Sequence, residues 1–106
     1  MIDKSYQHIV DFIDAVVESE DLTAWLLGLE KKSSSTRFLE LANLKVKMLA
    51  NHEPDELTVI VGLLNHEEIL LAINKVIADI KQSGTNTKAY VLNKDNHNYT
   101  TLIGLL

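Results

Sequence analysis

Apolar residues recur three and four apart along most of this chain, and a chain patterned that way must bury helix faces against one another. The pattern is clear over residues 4–18, where Tyr6, Ile9, Val10, Ile13, Val16 and Val17 form one stripe and Asp3 is placed to cap it. It returns over residues 65–82, with Ile69, Ile73, Val76, Ile77 and Ile80 inward. There Asn65 and Glu68 have the spacing of a capping box, and Gly84 supplies the stop. Between these two, Asp21 caps a short helix with Leu22, Trp25, Leu26 and Leu29 as its buried face. Lys31 and Lys32 suit its end, where the helix dipole favours cations.

A third helix, residues 36–51 with Ser35 as its N-cap, is the most apolar element. Its apolar residues, from Phe38 and Leu39 to Met48 and Leu49, cover roughly 220° of the helical wheel, where a surface helix shows a stripe nearer ~100°. Such a helix belongs at the centre of the fold or in an oligomer contact. In a chain this short the centre is the expectation.

Residues 54–64 carry two signals. Pro54, Asp55 and Glu56 resemble a helical first turn, and Leu57, Ile60, Val61 and Leu64 follow at helical spacing. Against that stand the β-branched run from Thr58 to Val61 and the helix-weakening Gly62. Helix is the favoured reading and strand the alternative. Residues 88–92 and 99–105 read as strands joined by the turn-forming residues 93–98, a C-terminal β-hairpin. An isolated hairpin is marginal, so it must dock on the helices or gain residues 57–64 as a third strand. The expected class is therefore α+β, with four to five helices and a terminal hairpin in one domain spanning residues 1–106.

With 106 residues, 46% hydrophobic and 24% charged, the chain is neither disordered nor membrane-embedded. No apolar run approaches the ~18 residues of a membrane span and no signal-type segment opens the chain, so a cytoplasmic location is expected. The absence of cysteine removes disulfides, thiolate metal sites and thiol nucleophiles.

The remaining chemistry is thin. Four scattered glycines write neither a phosphate-binding loop nor a dinucleotide fingerprint. His66 has Leu70, not a second histidine, four residues on, so the paired helical zinc ligand is missing; His8, His52 and His97 form no motif either. The carboxylate pairs Glu20-Asp21, Asp55-Glu56 and Glu67-Glu68 all lie near helix starts, where caps and the dipole account for them. Lys45 falls inside the apolar arc of the third helix, with its stem along the surface and its ammonium reaching water. Trp25 is core, with an interface role as the sharper reading. No catalytic residue, metal or cofactor is expected.

Charge is the positive signal. The net charge is −5, and residues 1–30 hold seven acids against Lys4 alone. Asp11, Asp14 and Glu18 share one helix face that runs on into Glu20 and Asp21. Like charges at such spacing cost a few tenths of a kcal/mol each, so local helix chemistry does not ask for them. These five residues are the candidate partner-binding surface, facing a basic protein. The expected function is a non-enzymatic interaction protein, in its most concrete form a small acidic inhibitor of the immunity-protein or antitoxin type that neutralises a basic toxin or nuclease. The alternatives are a helix-turn-helix-like DNA regulator, with Ser34, Ser35, Thr36 and Arg37 leading the recognition helix, and a homo-oligomeric adaptor using the third helix. An acidic chain with a single arginine argues against nucleic acid.

Overall fold

The structure, a computed structural model, describes residues 4–53, 55–92 and 97–106, apart from the side chains of residues 4–6 and 56. The described residues form seven helices: α1 (Lys4–Val17), α2 (Glu20–Lys31), α3 (Ser34–Ala50), α4 (Asp55–Leu63), α5 (Glu67–Ser83), α6 (Thr87–Leu92) and α7 (His97–Leu105). Asp3, Pro54 and the hairpin residues 93–96 of the sequence reading lie outside the described residues.

Helices α1 and α5 make the centre. Helix α1 packs on α2, α4, α5 and α6, and α5 on α1, α2 and α7. Their apolar stripes meet as the periodicity requires: Ile9, Ile13 and Val16 from α1 are buried with Leu70, Ile73, Val76, Ile77 and Ile80 from α5. Leu26 and Leu29 of α2, Leu41 of α3, Ile60, Val61 and Leu64 around α4, Tyr90 of α6 and Leu102 of α7 join this core.

The α+β expectation is overturned, because no strand occurs among the described residues. Residues expected as hairpin strands form α6 and α7. Tyr99, Leu102, Ile103 and Leu106 are spaced i, i+3, i+4, i+7, which is a helical period. The β-propensity of Thr100, Thr101 and Ile103 is worth only tenths of a kcal/mol per residue against docking on α5. Asn86 starts α6 by accepting the Ala89 N–H on its side-chain oxygen (2.8 Å). The third-strand alternative fails likewise: residues 55–63 are the helix α4, which turns Ile60 and Val61 to one buried face.

Three caps differ from the sequence reading by one or two residues. Ser19, not Asp21, caps α2, its Oγ accepting the Leu22 N–H (3.2 Å). Ser33, not Ser35, caps α3 through the Thr36 N–H (3.3 Å). The Asn65 capping box is not formed, and His66 stands at the N-cap of α5 with no side-chain bond. The N–H groups of Leu64, Asn65 and His66 close onto the carbonyls of Val61, Gly62 and Leu63, so Asn65 belongs to the end of α4. This tight turn sets α4 and α5 at 108°. Gly84 ends α5 as expected, at φ +69° with its N–H on Ile80 O (3.2 Å). No single helix among the described residues is long and apolar enough to cross a membrane.

Candidate functional site

The third helix is not central. It packs chiefly on α4, and its inner face is narrow: Arg37 and Leu41 are buried, with Leu44 and Met48 partly covered. The opposite face carries Phe38, Leu39, Val46 and Leu49, which are 59%, 62%, 66% and 60% exposed. The 220° apolar arc is thus two stripes back to back, one for the core and one for water. Four of the exposed large apolar side chains of the described residues thus gather on one helix face.

The edge of α3 toward α2 forms a shallow groove of about 460 Å³ lined by Leu22, Trp25, Glu40, Asn43, Leu44 and Lys47. Leu22, expected in the core, is 41% exposed there. Trp25 is half-buried, and its Nε1–H donates to Glu40 Oε1 (2.9 Å). Lys32 Nζ donates to the other oxygen of the same carboxylate. The hydrogen bond from Lys32 and then that from Trp25 hold the Glu40 carboxyl below the usual carboxylate range. The groove wall is therefore fixed as an indole held against an ion pair.

Two basic residues of α3 turn away from the open face. Arg37 is buried, its Nε donating to Leu29 O (3.3 Å) and its Nη2 to Lys32 O (3.2 Å). Those carbonyls end α2, so the guanidinium sits at the negative end of a helix dipole. It is a structural cap and presents nothing to a DNA groove. Lys45 lies toward α4, where a Cβ on Gly62 would fall 2.9 Å from its Nζ. Its stem covers part of the inner face while the apolar stripe beside it stays uncharged.

The five acidic candidates occupy the α1–α2 corner. Asp11, Glu18, Glu20 and Asp21 are exposed and Asp14 is partly covered. Asp11 accepts a hydrogen bond from Gln7 Nε2 (2.9 Å) on the same face. Glu20 and Asp21 stand in the first turn of α2, where they also complement the dipole. The corner itself is built from backbone and hydroxyl bonds: the Thr23 Oγ1 lies 2.8 Å from Val16 O and 3.0 Å from Ser19 O, tying the end of α1 to the start of α2.

Of the other sequence candidates, His66, Glu67 and Glu68 line one open depression with Leu105 and Leu106, and Glu68 and His97 line a second. Glu67 and Glu68 open α5 and Asp55 opens α4. His52 ends α3 at φ +56°, His66 precedes α5, and His97 begins α7. No group of three or more His, Asp or Glu that could hold a metal ion occurs among the described residues.

Two polar anchors escaped the sequence reading. Asn74, buried in α5, donates through Nδ2 to Leu26 O and to Glu30 Oε1, both at 3.3 Å, and so ties α5 to α2. Asp79 accepts from Tyr90 OH (2.9 Å) and from Asn98 Nδ2, so one carboxylate positions both α6 and α7. The only trace of Asn74 in the sequence is an amide inside an isoleucine-rich stripe. No protein-family model, curated protein or solved structure matches this chain.

Proposed function

We propose that this chain acts by binding protein in the cytoplasm, with no chemistry of its own. The observation that carries the reading is the open face of α3, where Phe38, Leu39, Val46 and Leu49 stand mostly in water on a helix whose other side already serves the core. Large side chains gathered on one rigid helix are the usual material of an interface centre, and water is the environment in which they contribute least.

A second surface favours the more concrete form, a small acidic inhibitor of the immunity or antitoxin type set against a basic toxin or nuclease. Asp11, Asp14, Glu18, Glu20 and Asp21 gather at the α1–α2 corner of a chain with net charge −5. Such a corner would steer a basic partner and set its orientation, while an apolar face would supply the lasting contact.

The test uses three baits in the native host: the wild-type chain, Val46→Glu, and the triple variant Asp11→Asn, Asp14→Asn, Glu18→Gln. A partner of basic isoelectric point that is retained by the wild type and weakened by the triple variant supports the acidic-inhibitor form. Equal retention of every partner by all three baits refutes both surfaces.

A further inference from the structure

We infer that the exposed face of α3 pairs with the same face of a second copy of this chain, antiparallel, about a two-fold axis that crosses the helix at the level of residue 44. This deepens the reading of α3 as a binding face and rests on it. The face consists of residues 38, 39, 42, 46, 49 and 50, which are Phe, Leu, Ala, Val, Leu and Ala. These positions are symmetric about residue 44: 38 mirrors 50, 39 mirrors 49, and 42 mirrors 46. A two-fold interface requires such self-complementarity, because the patch must meet its own image.

Size matches as well as position. Reversal sets Leu39 against Leu49 of the second copy and Ala42 against Val46, so large meets small in the inner layer, with Phe38 and Ala50 flanking the seam on opposite sides. Residues 39, 42, 46 and 49 also have the 3-4-3 spacing of a coiled-coil seam. A parallel pairing would set Ala42 against Ala42 and leave a gap, and it would align the two helix dipoles unfavourably. The one cation that would flank the seam, Lys45, has its ammonium over Gly62 of α4 and not on the stripe.

The area sets the strength. The four large side chains leave on the order of 400 Å² of surface to water per copy, and the two alanines between them add to the patch. Two such faces stand at the low end of protein interfaces, the range of weak, reversible association.

Sedimentation equilibrium of the full chain tests this. The wild-type mass should rise from 11.9 kDa toward twice that value between about 1 and 200 μM. Val46→Glu should stay at the monomer mass throughout, and Val46→Leu should still dimerise. Circular dichroism should show the same helix content in all three, since Val46 makes no part of the core. The register has its own test in this cysteine-free chain. Ala42→Cys and Val46→Cys chains, mixed and mildly oxidised, should form the mixed disulfide well ahead of either homodisulfide, the pairs being resolved by mass. A wild-type chain that stays monomeric at 200 μM overturns self-pairing, and loss of another partner by Val46→Glu would then show that the face serves that protein instead. Preferred homodisulfides overturn the antiparallel register.

Discussion

Arg37 is the single arginine of the chain, and its buried guanidinium ties α3 to the end of α2. A guanidinium spans the two carbonyls that end α2; an ammonium cannot. Arg37→Ala should cost about 2–3 kcal/mol in urea unfolding, by removing the charged donor from the end of α2, where Leu29 O keeps only the Lys32 N–H, and losing the buried stem. Arg37→Lys should recover less than half of the loss. Tyr90 carries a pH dependence. Burial first, then the hydrogen bond to Asp79 and its charge, push the phenol up to about 12 from 10.0. The folded chain therefore holds this proton where the unfolded chain has released it, so its contribution is complete below pH 10 and is lost as the pH rises from 10 to 12. Tyr90→Phe should lower stability by about 1–2 kcal/mol at neutral pH and flatten the decline measured between pH 10 and 12. Neither role is written in the sequence. Arg37 reads there as the leading basic residue of a recognition helix, because sequence spacing does not reveal that the end of α2 folds back over it.

At the scale of elements, helix existence was legible and helix ends were less so. The stripes of α1 and α5 come directly from the 3–4 spacing, and Gly84 from the need for a left-handed residue at a helix stop. The start of α5 went astray because Asn65 has the better capping side chain while His66 has the extended backbone, at φ −86° and ψ 109°. His66→Asp should then stabilise the protein by about 0.5–1 kcal/mol in thermal melts, and Asn65→Ala should change it by less than about 0.5 kcal/mol. The reverse outcome would return the cap to Asn65. Helices α6 and α7 were misread as strands because short apolar runs carry little period and their β-branched residues pull toward strand. Docking of this segment on the helices was nevertheless expected, because an isolated hairpin is marginal, and Leu102 is fully buried against the core. Leu102→Ala should cost about 2–4 kcal/mol, and deletion of residues 102–106 should lower the melting temperature further. An unchanged melt in both would mean that α7 adds nothing to the fold.

For the whole molecule, charge and apolar surface are divided between the α1–α2 corner and the face of α3. Replacing Asp11, Asp14 and Glu18 by Asn, Asn and Gln should leave stability within about 0.5 kcal/mol or raise it, because only like-charge neighbours are removed. Association with a basic partner should slow about tenfold at low salt, and the wild-type rate should fall as salt rises. A rate indifferent to both makes the corner a solubilising surface. The sequence by itself determined that this chain is helix-rich with an acidic start, because period and charge are local sums along the chain. It also determined that the third helix is apolar on more sides than one core needs. Only the tertiary structure decided which side faces out. Helices α1 and α5 present the larger continuous stripes and fill the centre, so α3 is left to spend one face on α4 and the other on water. Burial is allotted by competition among all the helices at once, and no single helix carries the outcome in its own residues.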